Sequence, residues 1–318
     1  MRFNDLDILN TKNKKKFIQS FKNTLNKNNF IFGNEVLMLE TKLSKMTKNK
    51  YCVTVGSGTD ALYLSLLSIK IKKNDEILIP SFSWLSVLEV VLMLGAKPVF
   101  IKTNRQTFNI DEGDILKKIN KNTKAVISTS LFGRSSNLNF IKSLCKRKKI
   151  YHIEDAAQNF GSKINNIDSS SIADITCTSF FPSKNLGCFG DGGAIFTNKK
   201  KIYSMIKILR NHGQITYSNS KDIGMNSRLG SIQAAILLNK LKFFKKQIRL
   251  QRLTYKKLQI FFLEKNIVGF PTAVTKDQNS YCLFNILVKN RKKLIKLFNK
   301  NKIPYKIYYS KPLYKQYR

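Results

Sequence analysis

Lys184 has the surroundings in this sequence that most favour covalent chemistry. It lies in the segment TSFFPSKNLGCFGDGGAIFT (178–197), which is otherwise aromatic, small and glycine-rich. Surroundings that exclude water favour the neutral form of a lysine amine, and a neutral amine can form a Schiff base with a carbonyl carbon and later carry a proton. Because most lysines in loops are solvent-exposed, an ordinary surface lysine is the alternative interpretation.

A second candidate is the carboxylate of Asp155, in the segment YHIEDAAQNFG (151–161). Asp155 stands at the C-terminal end of an apolar strand pattern, where ligands gather in open α/β sheets. A carboxylate there can pair with a ring nitrogen and keep it protonated, and Gln158, three residues later, can point the same way. The alternative is that Asp155 caps the segment that follows.

The segment VGSGTDAL (55–62) joins a strand pattern to a helix pattern. Its small residues let backbone N–H groups at a helix N-terminus approach an anion such as a phosphate. The spacing is neither that of a dinucleotide fingerprint nor that of a P-loop. A phosphate cradle and a plain tight turn both remain open on this pattern alone.

These candidates follow short apolar runs that alternate with helical patterns. The alternation predicts βαβ units, and therefore a mostly parallel sheet with helices on both faces. Helical spacing occurs at 59–70, 84–94 and 137–148. The predicted strands are YCVTV (51–55), EILIP (76–80), KPVFI (97–101), KAVIST (124–129), YHIED (151–155), ITCTSF (175–180) and GAIFT (193–197).

After about residue 228 the pattern becomes helical, which predicts a long connecting helix. A short tail follows, with strand patterns at 280–288 and 304–309 around a helical pattern at 291–300. We therefore predict two domains, a large one at residues 1–245 and a small C-terminal α/β domain at residues 246–318.

The composition is that of a globular protein with a very basic surface. Among 318 residues, 57 lysines and arginines face 19 acidic residues, for a net charge of +38. The basic residues are spread along the chain, so we favour a solvated basic surface that attracts anionic substrates over a nucleic-acid module. The N-terminus has no apolar signal region and no later segment is long and apolar enough for a membrane span, so a cytoplasmic location without a membrane partner is expected.

The five cysteines are scattered and odd in number, so neither a metal site nor a disulfide framework is predicted. They are expected to be small core residues in a reducing compartment.

Several of these segments, in this order, closely resemble the DegT/DnrJ/EryC1/StrS family of nucleotide-sugar aminotransferases. The resemblance covers about Gly33 to Gln316, and its 178–197 segment and RNHGQ (210–214) look most like the branch that acts on UDP-linked 3-keto-hexuronic acids. It implies the pyridoxal-phosphate-dependent transferase fold (fold type I, aspartate aminotransferase-like). The motifs are VGSGTDAL (55–62), PSFSWLS (80–86), GAKPVF (95–100), IEDAAQ (153–158), the 178–197 segment and GMNSRLGSIQAAIL (224–237).

The resemblance implies roles for four residues around pyridoxal phosphate (PLP). Lys184 would hold the cofactor as a Schiff base and then move a proton, and Asp155 would bind the pyridinium nitrogen. Gln158 would lie against the side of the 3-hydroxyl. Trp84 would stack on the ring, with an ordinary core aromatic as the alternative.

Other matching positions imply phosphate and substrate contacts. Gly58, Thr59 and Ser179 would bind the cofactor phosphate. Asn226 would reach the phosphate in the neighbouring subunit, which implies a homodimer with shared active sites. Arg228 is a candidate for a substrate acid or diphosphate, with a structural salt bridge as the alternative.

Within the same motif, Met225 and Leu229 are expected in the core. The chain ends shortly after Pro312 and Leu313, where members of the family continue, so the C-terminal domain is expected to be truncated. This chain has tyrosines in a region where family members often carry histidine. Tyr308 and Tyr309 are adjacent, and Tyr314 follows five residues later.

The expected reaction is transfer of an amino group from glutamate to a nucleotide-linked keto-sugar, for surface polysaccharide or glycan synthesis. A cofactor-dependent sugar dehydratase is one alternative, although relatives of that kind have histidine in place of Lys184. A catalytically silent regulatory or binding protein is the other.

Overall fold

The computed structural model describes residues 7–264 and 278–317. Its centre is a sheet of seven strands in the order β1-β7-β6-β5-β4-β2-β3. Every predicted strand of the sheet is confirmed to within a residue or so. The strands are β1 Tyr51–Val55, β2 Glu76–Pro80, β3 Lys97–Ile101, β4 Thr123–Thr129, β5 Tyr151–Asp155, β6 Ile175–Ser179 and β7 Gly193–Thr197.

The sheet is parallel except at β7, which runs antiparallel to both β1 and β6. In the parallel part, Thr129 pairs with Asp155 and Asp155 pairs with Cys177. The C-terminal ends of β4, β5 and β6 therefore meet at one edge of the sheet, where ligands gather in α/β folds.

Helices cover both faces of the sheet, as the sequence predicts. Successive residues of a strand point to opposite faces, so apolar residues are needed at nearly every position. One face packs against α3, α4 and α7. The other packs against α2 and α8 near β1 and β7 and against α5 and α6 near β2, β3 and β4, and α1 packs on α8. The bounds are α1 Asp7–Lys27, α2 Asn34–Thr47, α3 Gly58–Ser68, α4 Ser86–Met93, α5 Glu112–Lys118, α6 Leu138–Lys148, α7 Lys200–Leu209, α8 Ser231–Glu264 and α9 Arg291–Lys300.

Small elements complete the described part of the chain. Two hairpins pair Lys163–Ile164 with Ile167–Asp168 and Gln214–Thr216 with Asn219–Ser220. Single 3-10 turns lie at Leu131–Gly133, Ser169–Ser171 and Leu313–Lys315.

The C-terminal part differs from the sequence prediction. Helix α9 is confirmed, but within 278–317 no strand forms at 280–288 or 304–309. The backbone near these segments bonds to loops that follow strands of the sheet: the N–H groups of Ser280 and Tyr281 donate to the Gly133 carbonyl after β4, and that of Leu313 donates to the Ser81 carbonyl after β2. The predicted domain boundary at 245/246 lies inside the continuous helix α8, and the division into two domains remains a prediction.

None of the described helices is long and apolar enough to cross a membrane. The five cysteines are free thiols, four of them buried. In the described ranges, no group of histidine, cysteine and acidic side chains could hold a metal ion.

Candidate active site

The turn from β1 into α3 presents a helix N-terminus to the carboxyl edge of the sheet. Ser57 caps the helix, its Oγ accepting from the N–H of Asp60 at 3.0 Å. Within the described residues, the N–H groups of Gly58 and Thr59 have no hydrogen-bond partner. Free N–H groups at the positive end of a helix favour an anion, as the phosphate interpretation of VGSGTDAL requires.

Close packing leaves room for glycine alone beside this helix end. A Cβ on Gly58 would lie 2.8 Å from the Cβ of Ser179, and a Cβ on Gly193 would lie 2.4 Å from the Ser57 carbonyl oxygen. The predicted phosphate residues Gly58 and Ser179 are thus in direct contact.

The segment that carries Asn226 packs against the same turn. The Ser227 Oγ accepts from the N–H of Gly56 at 2.9 Å and donates to the Asp60 carboxylate at 2.6 Å. Asn226 forms a backbone bridge with Asn211, and its side chain is exposed. Asn226 therefore faces outward next to the phosphate cradle, where a second copy of the chain could be reached.

Asp155 is buried at the end of β5, with 7% of its surface exposed. The one hydrogen bond to its carboxylate from the described residues comes from the N–H of Ala157, at 3.0 Å. Burial raises the pKa of Asp155, while the Ala157 N–H and the nearby positive charge of Lys184 act in the opposite direction. A protonated ring nitrogen beside this carboxylate would stabilise its charged form, which burial disfavours.

Lys184 is half-buried, and its backbone N–H donates to the Phe181 carbonyl at 2.8 Å. It acts electrostatically on Asp155 and also on Cys282 in the C-terminal segment. Burial raises the pKa of the Cys282 thiol to about 12, against the opposing effect of the Lys184 and Arg134 charges. Lys184 therefore lies between the end of β5 and the C-terminal segment.

Gln158 forms hydrogen bonds with the loop after β4 and with the C-terminal segment. Its Oε1 accepts from the N–H of Phe132 at 2.9 Å, and its Nε2 donates to the Tyr309 hydroxyl at 3.1 Å. Burial raises the pKa of Tyr309, an effect that the hydrogen bond from Gln158 opposes and the negative charge of Asp155 reinforces. Tyr309 is thus a neutral phenol over the whole physiological range.

Trp84 has 58% of its surface exposed, which is not the environment of a core aromatic. Its ring lies 6.1 Å from that of Tyr309, centroid to centroid. Two residues further on, the Ser86 Oγ and the Thr59 Oγ1 are 2.8 Å apart, so this hydrogen bond ties the Trp84 segment to the phosphate cradle. The structure thus brings Trp84 close to Thr59 on one side and to Tyr309, the partner of Gln158, on the other.

Arg228 lies beside the Asn226 segment, and its Nη1 donates to the Asn211 Oδ1 at 3.1 Å. Its Nε is buried and has no partner among the described residues, and the described salt bridges do not include it. The structural salt bridge considered as an alternative is therefore absent from this part of the chain. As predicted, Leu229 is buried and Met225 packs against the core.

Three contributors to the site were not predicted. Ser57 could have been found, because serine three residues before an acid is a helix N-cap pattern. Tyr309 and Cys282 reach the site from the far end of the chain, and no local pattern marks them. The site as a whole offers an amine, a buried carboxylate and a helix N-terminus at the carboxyl edge of the sheet.

Comparison with known proteins agrees with this chemistry. The profile of the DegT/DnrJ/EryC1/StrS aminotransferase family matches residues 11–318. The UDP-2-acetamido-2-deoxy-3-oxo-D-glucuronate aminotransferase of Pseudomonas aeruginosa is 34% identical over 316 residues, which are 99% of this chain and 88% of that protein.

Solved structures agree as well. An aminotransferase of the same family from Brucella abortus superposes with a TM-score of 0.93 at 30% identity, covering 99% of this chain and 86% of the other. NtdA of Bacillus subtilis, solved with the bound cofactor PMP, superposes with a TM-score of 0.91 at 27% identity, covering 100% of this chain and 74% of the other. The chain belongs to the DegT/DnrJ/EryC1/StrS aminotransferase family.

Proposed function

We propose that this protein transfers an amino group from glutamate to a UDP-linked 3-keto-hexuronic acid, with PLP as cofactor. The observation that carries the proposal is the arrangement of Lys184 and the buried Asp155, which interact electrostatically at the carboxyl edge of the sheet. The similarity to the Pseudomonas aeruginosa enzyme supports the sugar class. The proposal includes a cytoplasmic location and a role in building surface polysaccharides or glycans.

The residues present fit PLP. The free N–H groups at the start of α3 suit its phosphate, the close packing of Gly58 on Ser179 places the Ser179 hydroxyl beside those N–H groups, and Asp155 suits a protonated ring nitrogen. When bound, the cofactor would supply an electron sink for the charge left when a carbon next to nitrogen loses its proton.

The protein's own groups would bind, orient and move protons. The Lys184 amine would hold the cofactor and then carry a proton to and from the reacting carbon. Asp155 would keep its negative charge beside the ring nitrogen, because a positive partner lowers the pKa that burial raises. Gln158 and Tyr309, bonded to each other, would fix the side of the ring that faces the C-terminal segment.

The first test is an absorbance spectrum of the purified protein with added PLP, before and after glutamate. We expect a band of lysine-bound cofactor that shifts with glutamate and is absent from Lys184→Ala. Lys200→Ala, at an exposed position in the first turn of α7, is the control and should keep the band. Absence of the band in the native protein would favour the silent binding protein.

The acidic sugar is tested through Arg228. Its buried Nε without a partner leaves the guanidinium able to receive an anion. We expect Arg228→Met to raise KM for the UDP-linked 3-keto-hexuronic acid about tenfold or more while changing KM for the neutral 3-keto-hexose little. Equal effects on the two sugars would remove the acid-binding role.

The shared site is tested by mixing two inactive variants, Lys184→Ala and Asn226→Asp. Mixed dimers contain one intact site only if the two residues of a site come from different subunits. After subunit exchange at equal amounts, we expect about a quarter of native activity. No recovery, with dimers verified by light scattering, would place both residues in one subunit's site.

A further inference from the structure

A basic cavity of about 670 Å³ lies at the edge of the sheet opposite the candidate active site. It is located where β2, β4 and β5 begin, whereas Asp155 stands where β5 ends. Tyr151, the first residue of β5, lines the cavity and is about 13 Å from Asp155 at 3.3 Å per strand residue. The cavity is therefore separate from the groups that the proposed reaction uses.

Lysine is concentrated in the lining of this cavity. Of its 14 lining residues, six are lysines and one, Asp75, is acidic. Across the chain, lysine and arginine together make up 57 of 318 residues, so the lining is more than twice as basic as the average. The general richness of the chain in lysine does not account for the cluster. The six are Lys70, Lys72, Lys121, Lys124, Lys148 and Lys149.

Neighbouring negative charge compensates only part of this cluster. Helices α3, α5 and α6 all end at the cavity, and each C-terminus carries about half a negative charge. Together with Asp75 they offset roughly two to three of the six positive charges. None of the six ammonium groups takes part in a salt bridge within the described residues. The remaining charge suits an anion with several negative groups.

An adjoining cavity of about 450 Å³ shares Lys149, Ile150 and Tyr151 with the first. There the acidic residue is already satisfied, because Asp174 pairs with Lys142 at 2.5 Å and with Lys199 at 2.8 Å. Four lysines and this one acid line the second cavity, so the excess positive charge of the first cavity continues into it.

We propose that the first cavity binds a small polyphosphate anion, either a nucleotide phosphate or an inorganic polyphosphate. Its volume lies within the range of about 300–1,000 Å³ typical of small-molecule sites. Lysines around one concavity act as point charges for phosphate groups. Tyr151, the aromatic residue of the lining, packs against the core and has the Lys199 ammonium over its ring at 4.9 Å, so this ring is not free to stack on a nucleic-acid base.

The test is calorimetric titration of the full-length protein, loaded with cofactor, with inorganic tripolyphosphate and with adenosine triphosphate at physiological salt. The cavity variant combines Lys121→Gln, Lys124→Gln and Lys148→Gln. The control combines Lys42→Gln, Lys200→Gln and Lys256→Gln, three exposed lysines elsewhere, so both variants lose the same charge. We expect the cavity variant to raise Kd about tenfold or more and the control less than about twofold.

The outcomes separate the possible ligands. Equal weakening in both variants, or no binding by the native protein, would overturn the proposal. So would tighter binding of a DNA duplex of about 20 base pairs that is lost in the cavity variant, because the surface would then serve nucleic acid. Tighter binding of adenosine triphosphate than of tripolyphosphate would support a nucleotide, and equal affinities would support the phosphate chain alone. Unchanged cofactor absorbance and thermal stability of the cavity variant would show that its fold is intact, whatever the fate of the aminotransferase proposal.

Discussion

The side-chain amide of Gln158 donates a hydrogen bond to the hydroxyl of Tyr309, 151 residues further along the chain and 3.1 Å away. The other end of the same amide accepts from the N–H of Phe132. One side chain therefore joins the loop after β4, the segment after β5 and the C-terminal segment at the candidate active site.

Removing the Tyr309 hydroxyl tests the importance of this bond. In Tyr309→Phe the Gln158 amide loses its acceptor, and a buried polar group without a partner costs about 1–3 kcal/mol. We expect kcat/KM for the amino donor to fall roughly tenfold. Tyr317→Phe, at a ring that is 63% exposed, is the matched control and should leave kcat/KM unchanged. An unchanged kcat/KM in Tyr309→Phe would restrict the bond to a structural role.

Gly58→Ala tests the phosphate cradle. The new Cβ would lie 2.8 Å from that of Ser179, so the start of α3 must shift away from the cofactor phosphate. We expect the Kd for PLP to rise about tenfold, measured through the fluorescence of Trp84, the single tryptophan.

Two further variants make the Gly58 result specific. Ser179→Gly alone measures what the Ser179 hydroxyl contributes to PLP binding, and in that background, where the clash is gone, Gly58→Ala should weaken PLP binding less than it does in the native protein. Gly113→Ala, whose Cβ would meet only the Asp111 side chain at 3.3 Å, should leave PLP binding as it is. If Gly58→Ala binds PLP normally, the phosphate is held elsewhere.

Arg134 is expected to contribute strongly to stability. It is 1% exposed, donates to the Tyr255 hydroxyl at 2.6 Å and lies 5.3 Å from the centre of that ring. Arg134→Met leaves the hydroxyl unpaired, and hydrogen bonds to charged groups are worth about 1.5–3 kcal/mol. We expect the free energy of unfolding in urea to fall by about that amount.

A double-mutant cycle with Tyr255→Phe isolates the Arg134 bond. If the two residues act as a pair, the double variant loses less stability than the two single variants together. Strictly additive losses would show that the guanidinium acts through its other contacts, such as the Asn285 Oδ1 at 3.4 Å.

Glu154 gives a pH-dependent prediction. It is fully buried on the other face of β5, where the Ser128 and Ser130 hydroxyls donate to it, and burial raises its pKa to about 8. An unfolded chain ionises this carboxyl near pH 4.5, so between about 4.5 and 8 the native state binds more protons than the unfolded state. The contribution of Glu154 is therefore fully present below about 4.5 and is lost as pH rises towards 8.

Glu154→Gln mimics the neutral carboxyl and removes this slope. We expect the variant to gain stability relative to the native protein as urea unfolding is moved from pH 5 to pH 8. His152, buried on the same face with its pKa lowered to about 3, has the opposite slope below pH 6.5 in both proteins, so it cancels in the comparison. A constant difference between the two proteins would contradict the neutral state of Glu154.

The central sheet could be predicted because both of its faces are covered. A strand such as β2, EILIP, must then be apolar almost throughout, and short unbroken runs of this kind are easily recognised. Asp155 was predicted for a related reason, since it is the last residue of such a strand, at the edge where ligands bind. Lys184 was predicted from the aromatic and small residues around it.

The rest of the site depends on contacts between distant parts of the chain. Tyr309 meets Gln158 across 151 residues, and no periodicity in the sequence marks such a pair. The strand expected at 280–288 failed for a similar reason: Ser280 and Tyr281 give their N–H groups to the Gly133 carbonyl in the loop after β4, which a local pattern of β-branched residues does not reveal.

The length and position of α8 bear on the order in which the protein can be assembled during translation. Its 34 residues extend over about 51 Å, and α1 and one face of α2 pack against it. Both helices precede α8 in the chain, yet α8, which shares a buried cluster with Leu39, is made roughly 10–40 s after them at ordinary elongation rates. For that interval the apolar residues of α1 and α2 that pack on α8 have no partner surface, which makes these two segments natural substrates for chaperones.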